Sequence, residues 1–389
     1  MSHLFRARAR ARARARSLLF LGITVVAACS RTQPQPPPKP EPAPAPPVAA
    51  KDDKPALHPP VDPAPRPSPG QRGAEHYAKM CAICHGANGE GYKADQATAL
   101  AQPDFLASVS DEFLAFAIAV GRRGTTMSAW AQYHGGPLGP NEIGDVVSFL
   151  RSWQRQPRAQ LDDSPPHGDA ARGKALFEAE CEKCHGDKAP NVRILNRQWL
   201  AYAKPGFIRY ALQKGRPPTA MPSFQDKLGD EGIEDVVTYL RSLPSFPDEK
   251  DLVGIGEPPP IPLGPVPLNP KGPEPTGFKK FPQMTSLKVI GPQYKRKARM
   301  ALLDARAPSD YAQGHIAGAV SVPFYDPVPY FEKLPKNAWL VCYCGCPHAE
   351  SGALARKLVD AGFSKVTVLD EGLGAWMQEG YATKSGLAP

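Results

Sequence analysis

One pentapeptide occurs twice in the sequence, 100 residues apart: Cys81-Ala-Ile-Cys84-His85 and Cys181-Glu-Lys-Cys184-His185. The likeness extends in both directions. Upstream, each copy reads Gly-x3-aromatic-x3-Cys, with Gly73 and Tyr77 in the first and Gly173 and Phe177 in the second. Downstream, Thr125-x-Met127-x-x-Trp130 matches Thr219-x-Met221-x-x-Phe224. Ile143, Val146, Val147 and Leu150 then recur at helical intervals, as do Ile233, Val236, Val237 and Leu240. Each copy therefore runs helix, pentapeptide, variable loop, methionine loop, amphipathic helix. A tandem duplication of a small helical unit is the simplest account, with the longer middle loop in the first copy.

Cys-x-x-Cys-His is the attachment signal for c-type haem. Two thiols on adjacent turns bond to the porphyrin vinyl groups, and the next residue places an imidazole on the iron. A structural zinc site is the competing reading, since Cys-x2-Cys also begins zinc sites. Duplication, export signals and a methionine 42 or 36 residues beyond each histidine favour haem. A methionine on the far side gives His/Met ligation and a raised reduction potential. His134 competes with Met127 for that position. Residues 71–157 and 166–245 resemble two class I cytochrome c domains, which are small all-α folds. The resemblance implies two covalently bound c-type haems, attached through Cys81, Cys84, Cys181 and Cys184. Their iron would be held by His85 and His185 on the proximal side and by Met127 and Met221 on the distal side. Six-coordinate iron of this kind performs one-electron transfer, so a donor and an acceptor protein are the implied redox partners. His58, His76 and His167 read as solvated or linker histidines.

The 47 prolines are concentrated, with 16 in residues 31–69 and 12 in residues 244–282. Such stretches favour extended polyproline II over a packed core, and at ~3.1 Å per residue the first reaches up to ~120 Å. Ahead of it lie an Arg-Ala repeat, an apolar run over 17–28 and then Cys29. The run is shorter than the roughly 20 residues a spanning helix needs. Residues 1–28 resemble a bacterial lipoprotein signal peptide, which implies a lipid on Cys29, a lipid-anchored Pro-rich linker over 29–70 and a place on the periplasmic side of the cell envelope. Ser30, where an aspartate would signal inner-membrane retention, favours the outer membrane. A plain secretory peptide or an uncleaved anchor is the alternative. The net charge of +9 falls to +3, 41 basic against 38 acidic residues, once the six arginines of that segment are set aside. A nucleic-acid partner is not indicated.

A second Pro/Gly-rich linker covers residues 246–283, and residues 284–384 follow a different pattern. Ala301–Asp304, Leu340–Tyr343 and Val366–Leu369 are short apolar runs, with a helical pattern over Ser351–Ala361 between the last two. That alternation predicts a parallel α/β sheet. Leu303-Asp304-Ala305-Arg306, Tyr311-x-x-Gly314-His315-Ile316-x-Gly318-Ala319 and Asp370-Glu371-Gly372-Leu373-x-x-Trp376 resemble the rhodanese family. The chain thus reads as two all-α cytochrome c domains and one α/β rhodanese-like domain, joined by Pro-rich linkers.

By that resemblance Cys344 stands where the family keeps the cysteine that carries sulfur. Its loop, Cys344-Gly-Cys346-Pro-His348-Ala-Glu350-Ser351, is one residue longer than usual and lacks the arginine often found there, with Glu350 nearby instead. Losing a cation and adding a carboxylate weakens anion binding. Three readings compete: a sulfur-transfer nucleophile Cys344 with Cys346 resolving and His348 stabilising the thiolate; a strained Cys344–Cys346 disulfide; and a soft-metal site. Cys342 reads as strand packing and His315 as structural. Two functions follow. In one, a small sulfur or oxyanion substrate at Cys344 exchanges electrons with the haems. In the other, the chain is a plain electron carrier whose rhodanese-like domain only binds or senses.

Overall fold

The computed structural model describes residues 66–91, 97–122, 125–186, 193–244, 266–345 and 348–389. Cys29, the expected signal peptide and most of the tether lie outside the described residues, as does Cys346. Among the described residues no helix is long and apolar enough to cross a membrane.

The first repeat comprises α1 (Pro69–His76), a π-helical turn (Tyr77–Cys81), α2 (Ala82–His85), α3 (Pro103–Ser108), α4 (Asp111–Val120), a 3-10 turn (Gln132–His134) and α5 (Pro140–Ser152). The second comprises α6 (Ala170–Glu180), α7 (Glu182–His185), α8 (Arg197–Tyr202), α9 (Pro205–Lys214) and α10 (Gln225–Ser242), kinked at Gly229. A capping box starts α1: the Ser68 hydroxyl accepts from the Gln71 N–H, and the Gln71 side chain accepts from the Ser68 N–H at 2.7 Å. The first folded segment therefore starts ahead of residue 71.

α1 packs on α5, and α6 packs on α10 in the same way. The repeated glycines explain how close these helices come. A Cβ on Gly73 would land on the Asp145 carbonyl and 2.9 Å from Phe149 Cβ; on Gly173 it would land on the Asp235 carbonyl and 3.0 Å from Tyr239 Cβ. Each crossing is tied by a bidentate ion pair, Arg72–Asp145 at 2.7 Å for both bonds and Arg172–Asp235 at 2.7 and 3.0 Å. The repeated aromatic fills the space beside it: Tyr77 meets Phe149 and Trp153, and Phe177 meets Tyr239.

The third part comprises α11 (Leu287–Lys295), β1 (Met300–Asp304), α12 (Pro308–Gln313), β2 (His315–Ile316), β3 (Ala319–Ser321), β4 (Trp339–Tyr343), α13 (Ala349–Asp360), β5 (Val366–Val368), α14 (Gly372–Gln378) and β6 (Thr383–Lys384). Four strands form a parallel sheet in the order β3-β1-β4-β5, with Leu303 paired to Cys342 and Cys342 to Val368. Both faces are covered, so these strands read as unbroken apolar runs. Residues 272–283, which the sequence assigns to the linker, pack on this domain. Phe278 meets Trp339 edge-on, the Phe281 N–H donates to the Val366 carbonyl, and Glu274 pairs with Arg299 and Lys365.

The two cytochrome-like repeats meet through α3–α4 and α8–α9. Phe113 faces Phe207 with ring centres 5.3 Å apart, and Phe116 stacks on Tyr202 at 3.7 Å. Gln102 donates to the Pro217 carbonyl at 2.8 Å, and the Tyr210 hydroxyl bonds Asp104. The α/β domain contacts the first repeat. The Ser128 hydroxyl donates to Asp310 at 2.7 Å, the Ser309 hydroxyl donates to the Ala129 carbonyl at 2.8 Å, and Trp130 meets Tyr325. Helix α13 also packs on α2.

Candidate functional site

The two pentapeptides sit on α2 and α7, each opened by the repeat's cysteine as cap. Cys81, Cys84, His85, Cys181, Cys184 and His185 all line one cavity of about 2060 Å³. Met127, His134 and Met221 line it too. A single ligand pocket spans roughly 300–1,000 Å³, so this space suits more than one large group.

His85 is fixed in one tautomer. Its Nδ1 lies 2.8 Å from the Thr98 carbonyl, which only accepts, so Nδ1 carries the proton and Nε2 keeps its lone pair. Burial also holds this imidazole below its ordinary pKa, in the neutral form a metal needs. Loss of solvent pushes the Cys81 thiol up to about 12 and the Cys181 thiol to about 11. Such surroundings favour an uncharged thioether over a thiolate. Among the described residues no three His, Cys, Asp or Glu side chains gather as a metal cluster.

The methionine loops are built alike. The Arg122 N–H donates to the Met127 carbonyl at 2.8 Å, and the Arg216 N–H to the Met221 carbonyl at 2.9 Å. The threonine of each Thr-x-Met accepts from the methionine N–H, at 3.2 and 3.3 Å. Gly121 and Gly215 precede these loops with φ of +65° and +67°, where a side chain would strike the loop backbone. Met127 and Met221 thus occupy equivalent seats. His134 has no counterpart in the second copy, yet its Nε2 is buried without a partner among the described residues, and burial lowers its pKa.

Sequence reasoning passed over two residues here. Arg122 and Arg216 lie five residues before their methionines and line the cavity. Desolvation lowers both guanidinium pKa values to about 10. Arg122 Nη1 is buried with no hydrogen-bond partner among the described residues. Arg122 stacks over Phe113 and Arg216 over Phe207, so the two cations flank the aromatic contact between the repeats. A buried cation facing a cavity calls for an anion, and the carboxylates of a haem supply one. The residues present fit the group. The signal was in the sequence: each Gly-Arg pair stands at one fixed distance before its methionine.

In the α/β domain Cys344 follows β4 and is 1 % exposed. Its Sγ is 3.3 Å from the Ser351 hydroxyl. His348 has a left-handed backbone, φ +94°, and its Nε2 points to Asp370 at 3.3 Å. The His348 imidazole thus faces Asp370, and the Ser351 hydroxyl lies beside the Cys344 sulfur. Glu350 is buried and is pushed well above its ordinary pKa, first by burial and then by Cys344. Arg306 is held by Asp304 through Nε at 2.9 Å and Nη2 at 2.6 Å. Cys342 is buried in β4. His315 stacks on Tyr311 and bonds the Tyr311 and Ala388 carbonyls, which suits a structural role. Arg306, Asp310, Gly345 and Glu350 open onto the same cavity as the methionine loop of the first repeat.

Two helical repeats, each closing a Cys-x-x-Cys-His turn and a clamped methionine loop over one cavity, define a c-type cytochrome. Residues 70–154 match the cytochrome c family, residues 168–240 the family described as cytochrome c oxidase, cbb3-type, subunit III, and residues 292–379 the rhodanese-like domain. Cytochrome c6 of Gloeothece citriformis is 36% identical over 77 residues, covering 19% of this chain and 70% of that protein. The chain belongs to the cytochrome c family, carries two such domains in tandem and ends in a rhodanese-like domain. The cbb3-type cytochrome c oxidase subunit FixP of Bradyrhizobium sp. is 27% identical over 183 residues, 44% of this chain, and the chain spans 60% of that subunit's length. A rhodanese-like domain from Anabaena sp., solved in solution, is 29% identical, covers 27% of this chain and 80% of its own, and has a TM-score of 0.25. Covalently bound haem c and electron transfer come with this family.

Proposed function

We propose that the chain is an exported dihaem c-type cytochrome whose rhodanese-like domain couples sulfur chemistry at Cys344 to one-electron transfer. Cys81 and Cys84 hold one haem and Cys181 and Cys184 the other; His85 with Met127 and His185 with Met221 supply the axial ligands. Haem iron ligated in this way supplies one-electron chemistry at a raised potential. Arg122 and Arg216 neutralise its carboxylates, and the Thr98 carbonyl orients His85. Cys344, assisted by Ser351, carries the sulfur species. Redox partner proteins deliver and remove electrons. A lipid on Cys29 anchors the chain on the periplasmic side of the envelope, with the outer membrane favoured by Ser30.

One observation carries the coupling. The Ser128–Asp310 and Ser309–Ala129 bonds hold the rhodanese-like domain to the methionine loop of the first repeat, and Gly345 and Glu350, from the loop that carries Cys344, line the same cavity as Met127. A rhodanese-like domain serving only as an independent module has no need of that contact. The test is the visible spectrum of the purified, oxidised protein during addition of sulfide, thiosulfate or a persulfide, beside Cys344→Ser. Growth of the reduced-haem band in the wild type alone supports the reading. An equal response in both proteins, or in neither, leaves an electron carrier with a binding module.

A further inference from the structure

The two repeats are built alike but are not equally covered. Each sets a methionine loop and the second cysteine of its pentapeptide on the wall of the shared cavity. In the first repeat the rhodanese-like domain lies against both elements. Ser128 and Ala129, which follow Met127, are 2 % and 5 % exposed beneath Asp310 and Ser309. Helix α13 packs on α2, which carries the half-buried Cys84. Of the described residues in that loop, Thr125 and Thr126 stay at the surface. In the second repeat Pro222 and Ser223 stand where Ser128 and Ala129 do, and both are exposed, as is Cys184.

This difference decides where a carrier protein can reach. Electron exchange between proteins falls steeply with distance, so a layer of folded chain over one haem edge diverts exchange to the other. The uncovered loop, Pro217–Ser223, contains no charged residue and suits apolar contact with a partner. Between the two haem seats the wall is aromatic and thin. Phe113 and Phe207 meet with ring centres 5.3 Å apart, Trp199 stands edge-on to Phe113 at 6.3 Å and 6.2 Å from Phe207, and all three line the cavity. An electron that enters the second repeat therefore has a short path to the first.

We infer that external one-electron carrier proteins exchange with the second haem, across the face formed by Cys184 and the Pro217–Ser223 loop, and that the first haem exchanges with them only through the second. The inference rests on the reading that both pentapeptides hold haem. Each carrier that docks gives up one electron. The second iron passes from ferric to ferrous, and it returns to ferric as the first iron is reduced. Oxidation by an external acceptor runs through the same face in the opposite order.

Thr126 and Ala220 are equivalent, exposed positions, each one residue before its methionine, and they allow a matched test. Reduced full-length protein is mixed with hexacyanoferrate(III), and loss of the reduced-haem band is followed for wild type, Thr126→Lys and Ala220→Lys. At an ionic strength of about 0.1 M the Debye length of about 10 Å confines the pull of a new lysine on this trianion to its own neighbourhood. Ala220→Lys is expected to react about threefold faster than wild type, with Thr126→Lys at the wild-type rate. Ala220→Glu is expected to slow the reaction by a similar factor and Thr126→Glu to leave it unchanged, which carries the decision should a lysine variant fail to fold. Equal responses at the two positions, a response at Thr126 alone, or none at either overturns the inference. Absence of c-type bands from the purified protein would instead remove the haem reading on which it rests.

Discussion

Gly73→Ala tests whether the repeated glycine exists for the helix crossing that positions the haem-attachment turn. The new Cβ would coincide with the Asp145 carbonyl and approach Phe149 Cβ to 2.9 Å, so backbone has to give way. Overpacking of this kind costs about 1–3 kcal/mol, and the contact with a carbonyl places it at the upper end. Alanine is worth roughly 0.5–1 kcal/mol more than glycine inside a helix. The net loss is about 2 kcal/mol, or roughly 8–16 °C in Tm for a domain of this size. Gly144→Ala is the control: it lies in α5, the partner helix, and its added Cβ meets nothing within 4 Å. There the helix preference acts alone, and Tm rises. Thermal unfolding followed by far-UV circular dichroism compares the two, with the haem absorbance reporting whether the Cys81–His85 turn has moved. Opposite signs are the expected result. A Gly73→Ala protein as stable as Gly144→Ala refutes the close crossing and the explanation of the repeat built on it.

Removing either buried cation has an electronic consequence. Arg122→Met and Arg216→Met each lower the potential of the nearer haem by tens of millivolts, since a neighbouring positive charge favours the reduced iron; potentiometric titration should find one wave shifted per variant, and unmoved waves would remove both arginines from the haem sites. Glu350 gives a pH dependence. Its folded pKa lies above the ordinary 4.5, so the folded state binds the extra proton and stability falls as pH rises from 4.5 toward the folded value. Glu350→Gln removes that slope and should unfold at a higher temperature than wild type at pH 8 but not at pH 4; equal differences at both values would show that the carboxyl is not held protonated.

How much was legible varies with the range of the interaction. Local rules write the capping, the clamped Thr-x-Met turns and the apolar periodicity of α5 and α10, so the two helical units could be read directly. The parallel strands β1, β4 and β5 were legible because burial on both faces leaves an unbroken apolar run. Residues 272–283 pack on the α/β domain although their proline density signals extended chain, because such chain can equally lie against a sheet. His348 has a left-handed backbone, which spacing alone does not disclose.

The contact between the rhodanese-like domain and the first cytochrome domain had no signal in the sequence at all. Chain order places the second cytochrome domain next to it, and the proline-rich segment reads as a spacer. Yet Ser128 and Ala129 hold Asp310 and Ser309, while the second domain reaches the first on other helices through Phe113 and Phe207. The first domain is therefore in contact with both of the others. Its methionine loop bonds helix α12 of the rhodanese-like domain, and its Arg122–Phe113 stack abuts the equivalent pair of the second domain. Removing the Ser128 hydroxyl should therefore loosen that docking before it disturbs either cytochrome fold, since Ser128 donates directly to Asp310.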